Sequence, residues 1–258
     1  MLLDWLLGEG AWVFSWWLLV TFAGGAVLPL IRRLLPSLPD EGYTLARTMG
    51  MLWVGYVFWL LSTLGFLVNN EGSILLAWVL VFALAWGVYR ARAGTTWREW
   101  FTRNRAVILI GEVLFISLFF GWALVRANYP ALTATEKPME LAFISAIERS
   151  QTFPPNDPWM SGYAISYYYF GYVMSAMLVK LSGVTTSVGF NLTLSLLFAL
   201  TGLTTFGVVY NLVEATRRLV NKQIATWTSF AAALLGVFMV AVMGNLQAPL
   251  IELPYQSG

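Results

Sequence analysis

The chain has 258 residues, 59% of them hydrophobic and 11% charged, with a net charge of +2. Soluble domains carry about 25% charged residues, so this composition, with a mean hydropathy of +0.70, excludes a protein whose whole surface faces water. The lack of Cys and His excludes disulfides, thiol nucleophiles, iron–sulfur clusters, His-ligated haem or chlorin, and His-based zinc sites or triads.

Apolar runs of about 20 residues recur along the chain and predict an all-α, polytopic transmembrane bundle of about seven spans. The runs are continuous and do not alternate, which rules out a β-barrel. The start carries Asp4 and Glu9 but no basic residue, whereas a cleaved leader wants a positive start, so the first span is expected to be retained. Span one covers Ala11–Ile31 and ends at Arg32 and Arg33; a short loop with Pro36, Pro39, Asp40 and Arg47 follows. Span two covers Met49–Val68 and ends in the polar turn Asn69–Gly72. Span three, Ser73–Tyr89, runs into the most basic stretch, Arg90, Arg92, Arg98, Arg103 and Arg105, and span four covers Ala106–Val125. Glu112 lies inside span four, where a carboxylate is functional by default; the plainer reading, a side chain snorkelling toward Arg105, is favoured.

Short loops rich in Lys and Arg stay in the cytoplasm, so the two basic loops place the N-terminus outside a plasma or inner cell membrane. The chain then divides into a four-span region, 1–125, an outer loop, 126–164, and a three-span region with a tail, 165–258. The later spans are Ile165–Leu181, Val188–Leu212 and Ala225–Met243. Simple alternation puts Arg217, Arg218 and Lys222 outside, against the positive-inside rule. Either span five or six is therefore re-entrant, or these late charges do not set orientation.

The outer loop is longer than the other connections, and loops of that length without function are uncommon. Pro138 suits a helix start, Glu140 suits a first turn, and Met139, Phe143 and Ile147 recur at four-residue spacing. This predicts a short amphipathic helix from Pro138 to about Arg149, lying in the membrane interface. Phe153-Pro154-Pro155 is expected to be extended, and Asp157-Pro158-Trp159 to set a turn ahead of Tyr167, Tyr168 and Tyr169. With Cys and His missing, chemistry falls to carboxylates, Lys, Arg, Tyr or a hard cation such as Mg²⁺, Mn²⁺ or Ca²⁺. Glu136, Glu140 and Asp157 are the candidate catalytic acids, as bases on a hydroxyl acceptor, and Glu136 and Asp157 the candidate ligands of a divalent cation. Lys137 and Arg149 are candidates to hold phosphate, and Trp159 with Tyr167, Tyr168 and Tyr169 to offer flat faces to sugar rings. A plainer reading exists for each type: Tyr and Trp collect at bilayer interfaces, Glu140 favours a helix start, and Glu148 with Arg149 forms a solvated pair.

The run Glu136-Lys137-Pro138-Met139-Glu140, then Phe153-Pro154-Pro155, Asp157-Pro158-Trp159, Gly162 and Tyr167-Tyr168-Tyr169-Phe170-Gly171, resembles the YYY membrane protein family, named for its tyrosine triplet. The resemblance continues through Lys180–Gly183, Tyr210–Leu212 and Gly244–Leu246, covering about the second half of the chain. That family is in turn similar to GT-C glycosyltransferases. The resemblance implies a membrane protein that transfers a sugar from a polyprenyl-phosphate donor at the outer face, with Glu136 and Glu140 at the acidic motif and Asp157 and Tyr167 to Tyr169 lining the cavity. Two departures stand out: the second acid is Glu140 where the family usually has Asp, and Tyr172 stands where His is frequent. Because members continue with further spans and an outer domain, the chain is expected to be an N-terminal portion or a short paralogue. The alternative function is a non-catalytic accessory subunit of a larger respiratory or photosynthetic membrane complex; a transporter is a distant third, suggested by Glu112 alone. The expected partners are the lipid bilayer, a polyprenyl-phosphate sugar and other membrane subunits, with no nucleic acid.

Overall fold

The computed structural model describes residues 8–90, 96–132, 136–220 and 225–243, which form helices and no strand. The helices are α1 (Gly10–Leu34), α2 (Ala46–Thr63, entered through a 3-10 turn at Tyr43–Leu45), α3 (Glu71–Arg90), α4 (Trp97–Asn128), α5 (Lys137–Arg149), α6 (Phe170–Ser182), α7 (Thr186–Val220) and α8 (Trp227–Ala241). Five of them, α1 to α4 and α7, are long and apolar enough to cross a membrane. The expected fifth and seventh spans are shorter: α6 has 13 residues and α8 has 15. At 1.5 Å per residue these reach about 20 and 22 Å, against a hydrocarbon core of about 30 Å. Ile165, expected inside span five, is still in the loop, its N–H donating to the Pro155 carbonyl at 2.9 Å.

Local signals explain the helix ends. Thr96 and Glu99 form a reciprocal capping box that starts α4. Gly183, at φ +66°, ends α6 in the left-handed conformation that a Cβ disfavours.

Contacts sort the helix ends into two sets. At one end, Arg32 of α1 lies over the rings of Trp97 and Trp100 at the start of α4, 4.2 and 4.8 Å from their centroids. Glu41, in the connection after α1, pairs with Arg32 at 3.0 Å and with Arg103 of α4. The Asp40 N–H donates to Asn211 of α7 at 3.2 Å, while the Asp40 carboxylate accepts from the backbone of Gly42 and from the backbone and hydroxyl of Thr44. Beyond Asn211, buried Glu214 binds Arg217, Arg218 and the Ser229 hydroxyl at the start of α8. At the other end, Arg126 in the last turn of α4 donates from Nε and Nη2 to the Asn191 side-chain oxygen near the start of α7, at 2.9 and 2.6 Å. Trp16 near the start of α1 donates to Ser182 at the end of α6, at 2.9 Å. The described residues between α4 and α7, 129–132 and 136–185, therefore leave and re-enter the bundle at this second end. Arg217 and Arg218 sit at the same end as Arg32, Arg98 and Arg103, and simple alternation through span five does not hold.

Between the two ends, α1 and α2 meet through glycines. A Cβ on Gly50 would lie 2.3 Å from the Ala23 carbonyl oxygen, and one on Gly24 would lie 3.1 Å from the Arg47 backbone. This close approach buries Arg47 to 4% exposure. Its guanidinium donates to both oxygens of Glu112 on α4, at 2.6 and 2.9 Å, and to the Thr21 hydroxyl at 3.1 Å, and lies 4.6 Å from the centroid of the Phe115 ring. The Tyr43 hydroxyl donates to the same carboxylate. The partner of Glu112 is thus Arg47 on a neighbouring helix and not Arg105, because an acceptor inside a bundle pairs with whatever donor packing brings to its depth.

Two outcomes follow from this arrangement. Cysteines introduced singly at Arg98 and Leu219, both exposed, should react with an impermeant reagent from one side of the membrane and a cysteine at Asn70 from the other; labelling of Leu219→Cys from the Asn70 side would mean that 129–185 crosses. Arg47→Leu should lower resistance to denaturing detergent by about 1–3 kcal/mol, because Glu112 loses its ion-pair partner and keeps only the Tyr43 hydroxyl. The double variant Arg47→Leu/Glu112→Leu should recover most of that loss.

Candidate functional site

The site is built on α5. Its Pro138 occupies the second helical position, where its missing N–H costs nothing, and Glu136 stands at the N-cap. The amphipathic spacing is realised, with Phe143, Ile144, Ala146 and Ile147 buried against the bundle. The far end is pinned by Asn69 in the turn between α2 and α3. The Asn69 side-chain amide donates to the carbonyls of Ile147 and Ser150 at 2.5 and 2.7 Å, and its N–H to the Gln151 carbonyl at 2.9 Å. Lys180 of α6 donates to the Glu148 carbonyl at 2.6 Å and the Thr186 hydroxyl to the Glu148 carboxylate. Glu148 is therefore tied to α7 as well as standing beside Arg149.

The chain then folds back on itself. The Ser150 hydroxyl accepts from the Asn156 N–H at 3.0 Å, and Phe153 packs edge-on against Phe58 of α2, 5.7 Å between centroids. Asn156 and Ala164 form an antiparallel bridge, with the Asp157 N–H donating to the Tyr163 carbonyl at 2.9 Å. Gly162, at φ +85°, closes this tight turn. The Asp157 carboxylate accepts from the N–H groups of Trp159 and Met160, at 2.8 and 2.9 Å. Those bonds give Asp157 a local task, since an Asx oxygen that takes the next turn's N–H groups fixes that turn.

The fold-back carries aromatic side chains to α5. Phe143, 4% exposed, is met by Trp159 edge-on at 5.4 Å and by the rings of Tyr167 and Tyr172 at 5.5 Å each. The Tyr168 ring lies 3.9 Å from that of Tyr167, with their hydroxyls hydrogen-bonded at 2.5 Å. Tyr169 turns the other way and accepts from the Trp59 indole of α2 at 3.1 Å. The hydrogen bond to Tyr168, partial desolvation and the nearby Glu136 charge push the Tyr167 phenol up to about 12, so it is a protonated donor at neutral pH.

Beneath this cluster a cavity of about 180 Å³ opens between α2, α5, α6 and α7. Its walls include Met51, Ile144, Met174, Leu178 and Phe190, and Glu140 and Tyr172 also line it. Glu140 thus faces an apolar groove on one side and belongs to the helix that carries the aromatic cluster on the other. Glu136 is exposed one turn earlier on the same helix. Lys137 and Arg149 occupy opposite ends of α5, about 18 Å apart along its axis, so one phosphate meets only one of them. Among the described residues no group of three or more carboxylates that could hold a metal ion occurs.

Phe143 is visible in the sequence as part of an apolar stripe but not as the centre of a ring cluster. The groove walls carry no separate signal, since each reads as an ordinary apolar residue, and Tyr172 stands out in the sequence only as a departure from the position's frequent His. Asn69 reads as a turn residue, and its two bonds to the end of α5 depend wholly on tertiary contact.

No curated protein and no solved structure matches the chain. A family model described as an uncharacterized membrane protein (DUF2298) matches residues 53–255, which takes in the fold-back, the aromatic cluster and most of the groove. On a match over most of its length, this chain belongs to that family of membrane proteins.

Proposed function

We propose that the chain carries a GT-C-like transfer site that moves a sugar from a polyprenyl-phosphate donor to a hydroxyl acceptor at the outer membrane face. The observation that carries this reading is the junction at Glu140: an apolar groove suited to a lipid chain, a carboxylate in its wall, and flat aromatic faces above. Such a junction matches a substrate that is hydrocarbon at one end and sugar at the other. The basic ends of α1, α4 and α7 face the cytoplasm in this reading, and residues 129–185 face out, with α5 in the interface and α6 dipping into the outer leaflet.

The chemistry is a displacement at the anomeric carbon. Glu140, or Glu136 one turn away, takes the acceptor hydroxyl proton as its oxygen attacks; the new glycosidic C–O bond forms while the bond from the anomeric carbon to the phosphate oxygen breaks, and the lipid phosphate departs with the electron pair. The Tyr168 hydroxyl, which accepts the Tyr167 proton at 2.5 Å, keeps its own O–H to donate to the departing phosphate or a sugar hydroxyl. Asp157 acts as a positioning residue, because its carboxylate holds the turn that brings Trp159 onto Phe143. A second reading, a non-catalytic subunit of a larger membrane complex, draws on the exposed apolar faces of α3 and α4, including Leu75, Val79 and Phe82, and Leu109 and Val113.

In membranes supplied with a labelled polyprenyl-phosphate sugar, Glu140→Gln should cut transfer by about 100-fold or more while the protein remains folded, the usual scale for loss of a general base. Unchanged transfer would remove Glu140 from the role, and absence of transfer by the unaltered protein, with co-purification of other subunits, would favour the second reading. Asp157→Asn keeps an acceptor oxygen for the turn and should retain most of the transfer, whereas Asp157→Ala should lose it through the loop; an equal loss in both would assign Asp157 a direct part.

A further inference from the structure

A second cavity, of about 150 Å³, lies at the loop end of the bundle, walled by α1, α4 and α7 and separate from the groove beneath Glu140. Arg126 and Asn191 line it on the α4–α7 side and Glu9 and Trp12 on the α1 side, with Val188 and Leu192 completing an apolar wall. Arg126 is half-buried, and its partner among the described residues is the neutral side-chain oxygen of Asn191, which takes Nε and Nη2. Asn191 is itself held by donating to the Ser187 carbonyl at 2.9 Å, so the guanidinium is oriented but its charge is not balanced. No carboxylate among the described residues forms an ion pair with it. Glu9, which lines the same cavity, is likewise without an ion-pair partner among the described residues.

We propose that this cavity is a phospholipid site selective for an ethanolamine headgroup. An oriented, uncompensated guanidinium at the end of a membrane helix recognises the phosphate that the interface supplies in abundance. A carboxylate across the gap then calls for a cation attached to that phosphate through a short linker, which is the phosphate-to-ammonium arrangement of ethanolamine phospholipids. A primary ammonium gives Glu9 N–H donors that a choline head lacks, while the ring of Trp12 can face either cation. The acyl chains would descend along Val188 and Leu192. A purely anionic lipid satisfies Arg126 but sets its charge against Glu9. The proposal does not depend on the transfer reading.

The test uses the full chain purified in detergent, with phosphatidylethanolamine, phosphatidylcholine, phosphatidylglycerol or a polyprenyl phosphate added singly. Native mass spectrometry counts retained lipid, and thermal unfolding reads the stabilisation. Phosphatidylethanolamine should be retained at least about tenfold more tightly than phosphatidylglycerol, the size one charge-assisted hydrogen bond supplies. Glu9→Gln removes no side-chain hydrogen bond or ion pair among the described residues and should abolish that preference while leaving phosphatidylglycerol retention the same or higher. Arg126→Gln should weaken all phosphate-bearing lipids. Equal retention of the four lipids by the unaltered protein, a preference for polyprenyl phosphate, or a Glu9→Gln variant with undiminished ethanolamine preference would each overturn the proposal.

Discussion

When one helix ends beside the start of another, everything between them must leave and return on the same side. Arg126 and Asn191 impose that condition here by tying the last turn of α4 to the first turns of α7. The described residues of this segment, 129–132 and 136–185, are therefore held at one end of the bundle, where α6, with 13 residues, is shorter than a bilayer's hydrocarbon core. The same tie gathers the basic helix ends together. Arg217 and Arg218 join Arg32 and Arg103 at the opposite end, each group organised around a buried carboxylate, Glu214 or Glu41.

The interior explains how a chain so poor in charge tolerates Arg47 and Glu112 at bundle depth. Taking Arg47 out of water costs several kcal/mol, and Glu112, with 27% of its side chain exposed, loses part of its hydration as well, which attraction alone rarely recovers. Extra partners offset the deficit: Thr21, Tyr43 and the Phe115 face surround the pair. The price is specificity of approach, since glycine at position 50, where a Cβ would meet the Ala23 carbonyl at 2.3 Å, lets α1 and α2 come close enough to bury the arginine against α4, and glycine at 24 eases the same contact. Pair and glycines thus act together as a register lock between three long helices, and the simplest account of Glu112 is structural.

The loop end is organised differently. Its polar groups are mostly satisfied by backbone: Asn69 by the carbonyls at the end of α5, Asp157 by two N–H groups of its own turn, Ser150 by Asn156. Glu136 and Glu140 stand apart from that pattern, on a helix whose buried face is already filled by Phe143, Ile144 and Ile147. A carboxylate that makes no hydrogen bond or ion pair among the described residues yet lines an apolar groove is where chemistry is best sought. Under the proposed transfer reading, the anchoring of α5 at its far end by Asn69 keeps such a group in place.

The sequence by itself determined the membrane class, the all-helical fold, the long helices and the amphipathic α5. These follow from composition and periodicity, which act within about 20 neighbouring residues. Hydropathy also marked Ile165–Leu181 as a span, because it counts apolar residues without seeing that Ile165 hydrogen-bonds into a loop and that Gly183 ends the helix early. The acids Glu136, Glu140 and Asp157 were legible as a group from their place among prolines and tyrosines, but not the separation of their roles. Only the tertiary structure decided that Asp157 caps a turn while Glu140 lines a groove, that Glu112 meets Arg47, and that Arg126 and Glu9 line one cavity. Each of these joins residues from different helices, or depends on which way a turn folds back, and such pairings are set by close packing of whole helices and not by any local run of side chains.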